Sequence, residues 1–143
     1  MRFSEAKNHR VVSTTGAVTV GRLREFVVDP RTAHVVALSL KKTEGSGDTL
    51  TWNNLKAFGP DAVTVESADV ITAAEGDLIM MSDKHHRILG KRVLTEHGEE
   101  LGRVKDVEFD PENGLVQSLL IGSEEISGSR ILGLGSYAVV VRL

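Results

Sequence analysis

The residues that could do chemistry are few and scattered. His85 and His86 are adjacent with Asp83 close before them, and imidazole with carboxylate is a metal-ligand set. Neighbouring residues of an extended chain point to opposite faces, so the pair cannot easily grip one ion, and it reads as solvated linker. His9, His34 and His97 fall at turns or strand ends, match no shared carboxylate pattern, and are expected at the surface. Gly133-Leu134-Gly135 is part of a dinucleotide fingerprint, but it lacks the third glycine and precedes a strand pattern where a helix is required. Ser123, Ser127, Ser129 and Ser136 lie outside any Gly-x-Ser-x-Gly elbow. The acid pairs Glu99-Glu100 and Glu124-Glu125 sit at turns, where hydrated carboxylates are the simpler reading than a general acid and base. The expectation is no catalytic residue, no metal ligand and no cofactor, hence no enzyme.

Side chains suited to holding a partner are easier to name. Trp52, the one tryptophan, is followed by Asn53 and Asn54, and tryptophan is enriched at the energetic centres of interfaces. Its other reading is a plug for a barrel end. Tyr137 is a second candidate of the same kind. Arg22 and Arg103 each follow a glycine and precede an acid by three residues, Glu25 and Asp106. A salt link across a strand irregularity or to a neighbouring strand is expected there, contributing about 0–1 kcal/mol where exposed.

The elements that must position these residues are legible from composition and spacing. A chain of 143 residues is one ordinary domain or two very small ones. It is 41% apolar but only 4% aromatic, so its core must come mainly from Val, Leu, Ile and Ala, which favours pleated structure. With no cysteine there is no disulfide framework, which fits a reducing interior. No run approaches the roughly 18–20 apolar residues of a spanning helix, and residues 1–8 lack a signal peptide's hydrophobic centre. A soluble, cytoplasmic protein is expected. Net charge is −3; residues 1–70 carry 9 Lys/Arg against 8 Asp/Glu, and residues 71–143 carry 8 against 12. That balance argues against electrostatic binding of nucleic acid.

Residues 16–40 and 98–121 are two versions of one pattern. Gly21-Arg22-Leu23-Arg24-Glu25-Phe26-Val27-Val28-Asp29-Pro30 matches Gly102-Arg103-Val104-Lys105-Asp106-Val107-Glu108-Phe109-Asp110-Pro111 at a spacing of 81, which persists to Val35 and Val116. Gly16 and Gly98 are 82 apart, and Gly59 and Gly135 are 76 apart. The first copy therefore carries one extra residue in its first turn and five in its 41–51 loop, a polar, Gly-rich hairpin tip expected to be mobile. A tandem duplication explains these constant spacings, and in a chain of this length it favours two small lobes that share buried surface, neither expected to be stable alone.

Each copy reads as a short strand into a Gly turn, a long strand, an Asp-Pro turn, an apolar return strand and a closing strand at 58–65 or 134–141. In the long strands the alternation slips between Leu23 and Phe26 and again between Val104 and Val107, which predicts a β-bulge that bends the strand toward closure. Ala33 stands where the second copy has Gly114, and a positive φ at alanine is strained, so a different turn is expected there. Residues 67–86 join the copies, with Ser67 able to cap a short helix and Met80 and Met81 expected to pack between lobes.

A turn glycine, a strand opening Gly102-Arg103-Val104-Lys105-Asp106-Val107, an Asp-Pro turn, an apolar return and a closing Gly135-x-x-Ala138-Val139-x-Val141 strand resemble the PRC-barrel family. That family includes the cytoplasmic domain of the photosynthetic reaction centre H subunit and the C-terminal domain of the ribosome-maturation factor RimM. The resemblance runs over residues 2–70 and 85–143. It implies an all-β protein of two tandem small PRC-type β-barrels, repeat 1 at 1–70 and repeat 2 at 85–143, with a short connector at 71–84.

Function is then expected to be that of a protein-binding or scaffold module, with Trp52, Asn53, Asn54 and Tyr137 as its candidate contacts and a protein partner or a second copy of the chain as its ligand. The alternative is a role in RNA metabolism or ribosome assembly through a ribosomal protein. That alternative rests on the family resemblance, and the acidic second lobe opposes direct contact with nucleic acid.

Overall fold

A computed structural model describes residues 1–143, and it is mostly β. In the first half, β1 (Arg10–Ser13), β2 (Val18–Asp29), β3 (His34–Lys41), β4 (Thr49–Thr51), β5 (Ala57–Phe58) and β6 (Ala62–Val65) form one sheet in the order β4-β3-β2-β1-β6-β5. In the second half, β7 (Arg92–Thr95), β8 (Glu100–Arg103), β9 (Asp106–Phe109), β10 (Val116–Ile121), β11 (Glu124–Ser127), β12 (Ile131–Leu134) and β13 (Ala138–Val141) form two sheets, β11-β10-β9 and β12-β13-β7-β8. If β8 and β9 are taken as one interrupted strand, the two orders are the same.

The pairing registers correspond as well. Arg10 faces Arg22 in β1–β2 and Arg92 faces Arg103 in β7–β8, and after the next pair, Val11–Gly21 or Val93–Gly102, a slip leaves Val20 and Leu101 unopposed. The closing strands pair in parallel with the first strands, Val11 with Val63 and Val93 with Val139.

The slip in the hydrophobic alternation is a bulge, as expected. In β2 the pairing with β3 jumps from Leu23 to Glu25, leaving Arg24 extra. At the equivalent Lys105 the second strand breaks: the Val104 amide donates to Lys91 O on the β7 side, and the Lys105 amide donates to Leu120 O in β10. The extra residue turns the strand, so its first part pairs with one neighbour and its second part with the other.

The two halves meet across a local two-fold relation. His34 and Leu115, equivalent positions, form an antiparallel bridge. The Val35 amide donates to Gly114 O at 2.7 Å, and the Val116 amide donates to Ala33 O at 2.8 Å. Exchanging the halves turns one bond into the other. Ala33 (φ +53°) and Gly114 (φ +80°) share the left-handed conformation, so the expectation of a different first turn is corrected. The reciprocal bonds hold Ala33 in a conformation that its side chain disfavours.

The leading segments cross between halves. Helix α1 (Phe3–Ala6) lies against β9: Ser4 donates from its amide and hydroxyl to Asp106, and the Met1 ammonium donates to Phe109 O and pairs with Glu108. In return Arg87 reaches Glu25 of the first half at 2.7 Å. All four phenylalanines gather here: Phe3 stacks on Phe26 with ring centroids 3.8 Å apart, and Phe109 meets Phe3, Phe26 and Phe58 edge-on or tilted. The phenylalanines are thus gathered in a single core of 25 buried residues drawn from both halves.

This core is common to the two repeats expected to form small barrels. The sheets are open, with β4 and β5 at the ends of the six-strand order and unpaired with each other. Each half covers its open side with the other half, which small sheets must do to bury enough surface. The connector is irregular, with Ser67 capping the short turn Ala68–Val70 and one helix, α2 (Asp77–Met81). Met81 is half-buried, and Met80, although 60% exposed, lines with it a recess between Val28 and Pro30 of the first half and Leu134 of the second. The 42–48 loop is tied at its base, where Thr49 and Thr72 exchange backbone hydrogen bonds and Gly47 packs against the Thr72 backbone too closely to admit a Cβ.

Candidate functional site

Trp52 opens a short 3-10 turn, Trp52–Asn54, directly after β4. Its ring stacks on Phe58 with centroids 5.8 Å apart and covers Gly114 of the other half. It is half-buried at the joint, while Asn53 and Asn54 are exposed beside it. The equivalent turn in the second half starts at Gly128, where a Cβ would overlap Val116 O. Tyr137 lies elsewhere, 64% exposed, with the Arg92 guanidinium carbon 4.3 Å from its ring centroid and Arg92 Nη1 donating to its hydroxyl at 2.9 Å.

The other singled-out residues separate. His9 is half-buried, stacked near Phe58 with Nε2 unpartnered, and His34 is half-buried at the two-fold bridge, so neither is the surface residue expected; His97 is exposed. The Asp83 carboxylate accepts from the His85 amide, which holds its pKa below the usual carboxylate range. No group of three or more His, Cys, Asp or Glu side chains is placed to hold a metal ion. Arg22 and Arg103 do not pair with Glu25 and Asp106. Each instead donates to a carbonyl at an equivalent left-handed residue, Asn8 O at 3.3 Å and Gly90 O at 3.1 Å, because the bulge turns the acids toward the other half's leading segment.

Asp29, buried at the end of β2, is held in an ion pair. Arg31 donates to both its carboxylate oxygens from Nε and Nη2, at 3.1 and 2.9 Å, and the Arg31 amide donates as well. The side-chain hydrogen bonds to Arg31 lower the Asp29 pKa against the opposing effect of burial. This is turn chemistry: Asp110 uses the same carboxylate-to-amide bond to Glu112 in the second half.

One recess has a composition unlike the rest of the surface. A cleft of about 500 Å³ in the second half is lined by Lys84, Arg87, Lys91, Arg92 and Arg103, with Tyr137 at its wall and no carboxylate among its lining residues. Lys91 Nζ donates to the carbonyls of His85 and Ser136, and Arg103 to that of Gly90, so both cations are fixed by neutral acceptors. Arg92 meets Glu100 at 3.4 Å and Arg87 meets Glu25, the only carboxylates within ion-pair distance of these five side chains. These residues escape a reading of catalytic motifs because none belongs to one. The available signal was charge: five of the eight Lys/Arg in residues 71–143 fall in this one recess of the more acidic half.

No helix of the protein is long and apolar enough to cross a membrane. No curated protein matches the chain. Residues 80–140, the stretch that holds the basic cleft and β7 through most of β13, match the family model of the PRC-barrel domain.

Proposed function

We propose that this protein is a non-enzymatic binding or scaffold module, built from two tandem copies of a PRC-type unit, that works by holding another protein in a reducing cytoplasm. The observation that carries the reading is the correspondence of strand order and register between the halves, down to the reciprocal Val35–Gly114 and Val116–Ala33 bonds. If the stretch matched by the PRC-barrel domain has a counterpart in the first half, the whole chain is accounted for by two such units. A rigid shared core that presents exposed polar and aromatic side chains around its rim suits recognition by a preformed surface. Asn53 and Asn54 beside Trp52, and Tyr137 over Arg92, are the contacts this reading favours.

Affinity capture of the full chain from extract, with partners identified by mass spectrometry, tests it. A discrete protein retained through moderate salt and lost on Tyr137→Ala or on Asn53→Ala/Asn54→Ala, with unchanged thermal stability, is the expected result. Retention of no protein above a bead control, or retention indifferent to all these changes, counts against it. Recovery of ribosomal subunits as the main species would instead favour a role in ribosome assembly.

A further inference from the structure

We infer that the basic cleft of the second half docks a short carboxylate-rich segment of a partner protein, which deepens the binding-module reading and rests on it. The first ground is a comparison internal to the molecule. The backbone bonds that frame the cleft recur in the first half: Gly90 N–H to Val104 O corresponds to Asn8 N–H to Leu23 O, and Val104 N–H to Lys91 O corresponds to Leu23 N–H to His9 O. The positions of Lys84, Arg87, Lys91, Arg92, Arg103 and Tyr137 are there occupied by Arg2, Glu5, His9, Arg10, Arg22 and Asp61. On one scaffold, the first half mixes three cations with two acids and a half-buried histidine, whereas the second half presents five cations and an aromatic. The fold itself does not demand the charge.

The second ground is the state of the donors. An ammonium has three N–H donors and a guanidinium five. Lys91 spends two on carbonyls and Arg103 one, so both are held in place with donors still free for an anion. Lys84 is exposed, with no carboxylate within ion-pair distance. Preorganised cations lose less entropy on engaging a carboxylate than free side chains do.

The surroundings choose among anions. Only Leu89 and Tyr137 supply apolar wall, too little to enclose a small molecule, which pockets of this size bind through mostly apolar lining. Glu25 and Glu100 sit at the cleft's Arg87 and Arg92, and the chain as a whole carries a net charge of −3. A long polyanion such as RNA would run from the cleft into acid, whereas a segment of a few carboxylates ends before it does.

The test is a titration of a fluorescein-labelled, end-capped hexaglutamate peptide with the full chain at low and moderate salt, read by anisotropy. Saturable binding is expected, weakened about tenfold by Lys84→Glu/Arg103→Gln and less than twofold by the charge-matched Lys7→Glu/Arg22→Gln in the first half. With unaltered protein, the peptide is expected to shift the amide resonances of Gly90, Ser136 and Tyr137, a readout independent of how the variants fold. Equal weakening by both variants, absent saturation, or resonance shifts elsewhere overturns the inference. So does an oligouridylate of equal charge that competes better than the peptide. If the captured partner is retained by Lys84→Glu/Arg103→Gln, acidic docking falls while protein binding stands; if no partner is captured from the start, the binding-module reading falls.

Discussion

Two equivalent residues in left-handed backbone make opposite demands. Ala33 and Gly114 both have positive φ, at +53° and +80°, and both sit at the joint of the halves. Left-handed backbone costs an alanine roughly 1–2 kcal/mol, partly offset by the entropy that glycine would lose. Ala33→Gly should therefore stabilise by about 1 kcal/mol in denaturant unfolding. Gly114→Ala should destabilise by roughly 2 kcal/mol or more, because its Cβ would stand 2.8 Å from Val35 O and press on Trp52. Asp29 makes a prediction in pH. Its pKa is lowered in the folded protein by the Arg31 hydrogen bonds, so its contribution is complete above the unfolded carboxylate value of about 3.9 and disappears as pH falls through the folded value. Asp29→Asn should cost stability at pH 6–8, and the gap to wild type should narrow below about pH 4 in urea melts. A gap that stays constant to pH 2 would separate that cost from the ion pair.

At the scale of elements, the long strands and their bulges were legible because spacing alone encodes them: Leu23 to Phe26 and Val104 to Val107 break a period of two, and the break is where each strand changes partners. The register between equivalent glycines was legible for the same reason. The crossing of α1 was not, because Phe3 belongs to no repeated pattern; its counterpart is His85, an exposed residue at the cleft. A four-residue helix carries too little periodicity to announce which sheet it covers. Its weight is in packing: Phe3 is buried between Phe26 and Phe109, so Phe3→Ala should cost about 3–5 kcal/mol. A double-mutant cycle with Phe109→Ala should show coupling, since the two rings belong to different halves yet touch. A cost under about 1 kcal/mol would mean that α1 is only loosely applied to β9.

For the whole molecule, the duplication was legible in the sequence and the contacts through which the halves share a core were not. Repeated spacing suggests two small lobes that share buried surface, but no spacing in either copy records that equivalent turns bond to each other, because a contact between equivalent positions adds no periodicity. The candidate contacts show the same limit. Trp52 was recognisable as unusual, but its place over Gly114 depends on the two-fold meeting of the halves, and the basic cleft gathers residues from 84–92, Arg103 and Tyr137 that only the fold brings together. A module of this kind should unfold as one unit, since neither open sheet keeps a covered face without the other. Native-state hydrogen exchange tests this most directly, read at the equivalent parallel pairs β1–β6 and β7–β13 under increasing denaturant. Convergence of both pairs on one opening free energy and one denaturant dependence is the predicted result; two distinct free energies, with one half exchanging while the other stays protected, would contradict it.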